Sequence, residues 1–215
     1  MKIESVGILI NLRPLNERDS IAYVFTRDNG ILSGLMRGAQ IAKKNKPLIG
    51  QVGQVAWNAR LDSQLGVFHW EAEKNIVAQL MLNPTCLACM NSVFELLLSL
   101  LPERQDYADL YDKTLRCLEM LGGDAHATYL QWEVDLLREL GYALDLSHCS
   151  GCGGVHNLHF LSPRTGRAVC DVCAAPYIDK LYKLPINLAV TYMFLDSVCA
   201  QQGVRMPLMR KMLKF

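Results

Sequence analysis

Two Cys-x-x-Cys pairs, Cys149-Ser150-Gly151-Cys152 and Cys170-Asp171-Val172-Cys173, stand seventeen residues apart and constrain this chain more than any other feature. Pairs separated by about fifteen to twenty residues form a tetrathiolate zinc pattern. Zinc binds thiolates tetrahedrally without a ligand-field preference, so each pair supplies one edge of the tetrahedron at little backbone strain. Gly151, Gly153 and Gly154 allow a tight turn whose N–H groups face the sulfurs. Between the pairs, Leu158-His159-Phe160-Leu161 and Arg167-Ala168-Val169 read as a short hairpin about Ser162-Pro163-Arg164-Thr165-Gly166, which makes the insert a zinc ribbon. One structural Zn2+ held by Cys149, Cys152, Cys170 and Cys173 is expected, because four thiolates leave no open position for catalysis. His148 and His156 are substitute ligands; disulfides, redox chemistry or a site that has lost its metal are the alternatives. A redox pair needs a strand before it and a helix beginning at it, whereas Gly-rich ribbon turns are expected around both pairs.

The compartment matters to that reading. The start Met1-Lys2-Ile3-Glu4 carries an acid where a signal peptide has an apolar run. The apolar stretch around Val93 to Leu101 is too short to span a bilayer. A cytoplasmic, nucleoid-associated protein with reduced thiols is therefore expected, with no membrane partner. The remaining cysteines are expected in the core: Cys86-Leu87-Ala88-Cys89 falls within a helical pattern, as do Cys117 and Cys199.

The first eighty residues read as five short strands. Ser20 to Thr26 is β-branched and aromatic, Asp28-Asn29-Gly30 signals a hairpin turn, and Ile31 to Met36 returns. Gln51 to Arg60 and Gly66 to Ala72 follow, joined by Leu61-Asp62-Ser63-Gln64. Five strands at this size suggest an oligonucleotide-binding (OB) barrel, with a small sandwich as the alternative. After Asn83-Pro84 the apolar period becomes helical, with Asn83 as cap and Pro102 as stop. Helices are expected from about Tyr107 to Leu121, Ala125 to Leu140 and Pro185 to Cys199, and a short one within Pro207 to Leu213. The fold class is α+β: an OB barrel over 1–80, a helical domain over 81–147 and 176–215, and a zinc ribbon over 148–175 inserted in it.

Charge points the same way. The net charge is +1, but residues 1–80 hold ten Lys/Arg against seven Asp/Glu, whereas 81–215 hold twelve against fourteen. The segment Arg37 to Pro47 carries four cations and no acid, as a loop that grips backbone phosphates requires. Arg13, Arg18, Arg27, Arg37, Lys43, Lys44 and Lys46 are the candidate DNA contacts. Tyr23, Phe25, Trp57, Phe68 and Trp70 lie on the strands either as core or as stacking platforms. No phosphate loop, G-x-G-x-x-G turn, G-x-S-x-G elbow or H-E-x-x-H helix occurs, so the chain is expected to bind rather than catalyse.

Several strings, taken in order, resemble the RecO family of bacterial recombination mediators: Phe25-Thr26-Arg27-Asp28-Asn29-Gly30, Arg37-Gly38-Ala39, Phe94-Glu95-Leu96-Leu97, Leu136-Leu137-Arg138-Glu139-Leu140-Gly141-Tyr142 and Cys149-x-x-Cys152-Gly153. The resemblance implies an OB domain, a helical domain and a zinc ribbon without metabolic catalysis. It implies binding of single- and double-stranded DNA, annealing of complementary strands and, with RecR, loading of RecA onto DNA coated by single-strand-binding protein. It further implies a pocket for the acidic C-terminal tail of that coating protein, an apolar cleft beside a cation, for which Arg116, Arg138, Lys180 and Lys183 are candidates. The rival readings are a protein-interaction adaptor, a zinc-ribbon transcription or translation factor, and a thiol oxidoreductase.

Overall fold

In a computed structural model that describes residues 1–60, 65–142 and 144–213, the N-terminal segments form β1 (Lys2–Pro14), β2 (Ser20–Thr26), β3 (Gly30–Met36), β4 (Gln51–Asn58) and β5 (Gly66–Asn75). The expected connection Leu61-Asp62-Ser63-Gln64 lies outside the described residues. β1 is long enough to serve two neighbours: Lys2 to Ile8 pair with β4, and Gly7 to Pro14 pair with β2. Its register shifts between Leu9 and Asn11, a bulge that bends the strand from one partner to the other. Parallel pairing of Gly34, Leu35 and Met36 with Gly66, Val67 and Phe68 then closes a barrel in the order β1-β2-β3-β5-β4. This is the OB-like arrangement, and closure excludes the sandwich.

The interior holds Leu9, Val24, Leu32, Val55, Trp57 and Phe68. Trp57 is wholly buried, and its indole N–H donates to the Ser33 carbonyl at 2.9 Å, which satisfies the polar atom that burial would otherwise strand. Gly30 closes the β2–β3 hairpin at φ +59°, and a Cβ there would meet the Gln105 carbonyl oxygen at 1.9 Å, so the position needs glycine on two counts.

Contacts group the chain into two units, Met1–Ala125 with Pro207–Arg210, and His126–Met206 with the residues from Lys211 onward. The first thus includes α1 (Pro84–Leu100) and α2 (Ala108–Met120) beside the barrel. Asn83 caps α1, accepting from the N–H groups of Thr85 and Cys86 at 3.0 and 3.3 Å. Phe25 and Ile31 are buried although they alternate with interior residues, and the Phe25 ring lies 5.6 Å from Tyr111 of α2. The expected boundary at residue 80 marks the change from strand to helix, whereas the contact units part at Ala125.

In the second unit, α3 (Ala125–Glu139) and α5 (Leu188–Gln201) carry buried Glu133 and Thr191, joined by a hydrogen bond in which the hydroxyl donates. α5 begins at Leu188 and not at Pro185 as expected, because Asn187 accepts from Ala189 and Val190 and fixes the start there. The ribbon comprises β6 (Leu158–Leu161), β7 (Ala168–Cys170), the one-turn α4 (Asp171–Ala174) and β8 (Tyr182–Lys183), in sheet order β7-β6-β8. β8 has too few residues for a sequence signal. The last element is α6 (Leu208–Met212). Cys86, Cys89, Cys117 and Cys199 are buried, as free cysteines commonly are. Among the described residues no helix is long and apolar enough to cross a membrane.

Candidate metal centre and nucleic-acid interface

The Sγ atoms of Cys149, Cys152, Cys170 and Cys173 all lie within 4.8 Å of one another, and no other cluster of three or more ligating side chains occurs among the described residues. Backbone ties bring the two pairs together. Ser150 N–H donates to the Ala168 carbonyl at 2.8 Å, Ala168 N–H to the Asp145 carbonyl at 2.8 Å, and Cys149 N–H to the Gly154 carbonyl at 2.8 Å. Gly151 is required by proximity: a Cβ there would stand 2.9 Å from Cys173 Sγ. None of the four is in a disulfide.

The donor set fits a tetrahedral cation. Cys152 Sγ and Cys170 Sγ are 3.8 Å apart, and a tetrahedron with metal–sulfur bonds of about 2.3 Å has an edge of about 3.8 Å. The N–H groups of Cys170 and Gly151 point at Cys149 Sγ from 3.3 and 3.4 Å. Backbone donors, that of Cys170 first and that of Cys152 next, bring the Cys149 thiol down to about 6. Cys173 is pushed up to about 12 by the sulfurs of Cys170, Cys152 and Cys149, because crowded thiols resist ionising together. A divalent cation removes that conflict by replacing the retained protons. One expectation is corrected here. The second pair is preceded by β7 and followed by α4, so the local setting asked of a redox pair is present at Cys170. What opposes a redox reading is the gathering of four sulfurs in one cluster, since a two-cysteine redox site uses no second pair.

The DNA-contact candidates fall into two groups. Strand pairing sets Arg13 opposite Ile21 and Ser20 opposite Met36, so Arg13, Arg18 and Arg37 share one end of the β1-β2-β3 sheet. Asp19 organises this end: its carboxylate accepts the Gly38 N–H at 2.8 Å, and Gln40 N–H donates to the Arg18 carbonyl at 3.0 Å. The Gly38 N–H first, then Asn16, hold the Asp19 carboxyl below its ordinary value. Arg13 lies over the Tyr23 ring, 5.3 Å from its centroid. Lys43, Lys44 and Lys46 are exposed on the β3–β4 loop and, among the described residues, have no carboxylate partner. The loop's Ala42 and Asn45 line a cleft of about 170 Å³ with Arg37, Phe68, His69 and Trp70.

Arg27 is different. It sits at the β2–β3 turn, the opposite end of that hairpin, and holds Asp112 of α2 at 3.0 and 2.9 Å. That carboxylate raises its already high basicity. Of the aromatics, Phe25, Trp57 and Phe68 are core, while Trp70 is half-buried with a buried indole N–H that has no protein partner. Its strand position gave no sign of that orphan donor. The partner candidates do not form one group: exposed Arg116 belongs to the first unit, while exposed Arg138, Lys180 and Lys183 belong to the second. Arg138 is paired with Asp135 at 2.9 Å.

A closed barrel in OB order with an unpaired basic loop, followed by helices and a four-thiol ribbon, defines a class of binding proteins built on an OB-like barrel and a metal-ribbon insert. Comparison with known proteins narrows the class. Residues 1–71 match the family described as Recombination protein O N terminal, and residues 81–210 match Recombination protein O C terminal. The chain is similar to a DNA repair protein RecO of Jannaschia sp., 40% identical over 86% of this chain and 75% of that one. It is 37% identical to that of Rhizobium rhizogenes over 88% of this chain and 74% of that one, and 34% identical to that of Rickettsia bellii over 86% and 77%. The chain belongs to the recombination protein O (RecO) family, which places it in DNA repair and recombination.

Proposed function

We propose that the chain is a DNA-binding recombination mediator that works by holding nucleic acid rather than by catalysis. The observation that carries the reading is the unpaired basic loop Lys43, Lys44 and Lys46 at a barrel that also offers Arg13, Arg18 and Arg37 at one end. Lysines on a mobile-length loop suit phosphates, which are met at varying positions along a flexible strand. Arg27 is set apart from this group by its tie to Asp112. A surface that grips backbone without reading bases suits the annealing of complementary strands and, with RecR, the loading of RecA onto DNA coated by single-strand-binding protein. The tail of that coating protein would use an apolar cleft beside a cation, with Arg116, Arg138, Lys180 and Lys183 as candidates. The four thiolates hold one Zn2+ as a structural cross-link, since a closed shell supplies no position for substrate. The barrel over 1–80 is the DNA module, the ribbon over 148–175 an insert in the helical domain, and the protein works at the nucleoid in the cytoplasm.

The test neutralises Lys43, Lys44 and Lys46 together and follows single-strand affinity against salt. Each lost phosphate contact flattens the log–log slope by about 0.7, so a change of about 2 is expected. An unchanged slope refutes the assignment. Strand-annealing assays on the same variant test the mediator role.

A further inference from the structure

Beside the thiol cluster lies a groove of about 630 Å³ whose lining includes Arg164, Arg167 and Lys180, the Tyr177 ring, and apolar Val169 and Leu181. No carboxylate is in that lining. Arg167 stands 3.5 Å from Asp145, but Arg164 and Lys180 have no carboxylate partner among the described residues. Tyr177 is 59% exposed, so a large part of the ring is free. All of these residues lie in the second unit, away from the barrel's own sequence. The arrangement is made by the ribbon's hairpin: the β6–β7 turn presents Arg164, and the segment between α4 and β8 presents Tyr177 and Lys180.

We propose that this groove is a second contact for single-stranded nucleic acid, with phosphates on Arg164 and Lys180 and a base against Tyr177. The proposal rests on the DNA-binding reading above but on a separate surface. A nucleotide presents an anion and a flat apolar face together, and the groove offers cations and an aromatic ring over an apolar floor in the same space. An acidic peptide calls on the cations and leaves the ring face without a required partner. The other use for the cations is to screen the sulfurs of the metal cluster, of which Cys173 reaches the groove.

The test uses the full metal-loaded chain and a fluorescent oligo-dT. The variants are Arg164→Ala with Lys180→Ala, Tyr177→Ala, and Tyr177→Phe. These side chains are exposed, so the substitutions remove no core packing. The double variant is expected to flatten the salt slope by about 1.4 with metal content unchanged. Tyr177→Ala is expected to weaken binding by roughly tenfold, and Tyr177→Phe to restore it, because the ring and not the hydroxyl stacks. Wild-type slope and affinity in the ribbon variants, alongside a flattened slope in the Lys43, Lys44, Lys46 variant, overturn this proposal and leave the barrel reading standing. The converse pattern supports the groove and overturns the barrel reading. A double variant that releases its metal assigns the cations to the cluster and overturns the groove. So does one that loses affinity for a polyglutamate peptide while keeping that for oligo-dT.

Discussion

The barrel and the ribbon both hold short strands in register, yet they do so by different physics. The barrel closes on itself, so its strands pair on both sides and enclose Trp57, Phe68, Leu9 and Leu32. The ribbon has strands of four, three and two residues, an open order, and a buried set of only Cys149, Val169, Cys170 and Ala174. Two of those four are themselves members of the thiol cluster. So small a core cannot offset the entropy of ordering its backbone, and a cross-link supplies what apolar burial lacks. The lesson is that function sits easily on either region, because neither uses its exposed cations for stability: Lys43, Lys44 and Lys46 in one, Arg164 and Lys180 in the other.

The contrast can be broken most forcefully at the cysteines. Replacing Cys170 and Cys173 with Ser removes binding free energy on the order of 10 kcal/mol. The expected outcome is loss of one equivalent of metal and of hydrogen-exchange protection across β6, β7 and β8, with the barrel amides still protected. Loss of protection in the barrel as well would show that the two regions do not stand separately. Trp57→Ala should act the other way round, costing about 3–5 kcal/mol in a urea melt while metal content stays at one equivalent. Smaller still are the helix caps. Asn83→Ala in the first unit and Asn187→Ala in the second each strip a side-chain acceptor from two backbone N–H groups. About 1 kcal/mol is expected for each, read as a shift in the thermal midpoint. The smallest effect is at Arg27→Ala, which breaks an exposed ion pair with Asp112. Its cost in a melt should shrink as salt is raised, and a salt-independent cost would show that the contact is one of packing.

Much of the fold could be read from local chemistry. Asp28-Asn29-Gly30 marked the hairpin because positive φ is a property of residue type, and Gly30 adopts +59°. Asn83-Pro84 marked the start of α1 for a similar reason: the cap acts on N–H groups two and three residues away. The cysteine spacing carried the ribbon, since knuckle geometry is local and only one long-range meeting was needed. Pro185 misled because a proline suits a helix start without compelling one, and Asn187 took the role. The barrel cations were harder to divide. Nothing local distinguishes Arg27 from Arg37; Asp112, eighty-five residues away, does.

From the sequence alone, then, follow the strands, the turns, the helix caps, the four ligating thiols and the family, because each depends on residue type and short spacing. Tertiary structure alone decided that the strands close as β1-β2-β3-β5-β4, that Phe25 and Ile31 are covered on the barrel's outer side, and that Arg27 is spent on α2 while Lys43, Lys44 and Lys46 stay free. It also brought Arg164, Tyr177 and Lys180 to one groove. The physical reason is the same throughout: a side chain's partner across space is set by closure and packing, which no short window of residues contains.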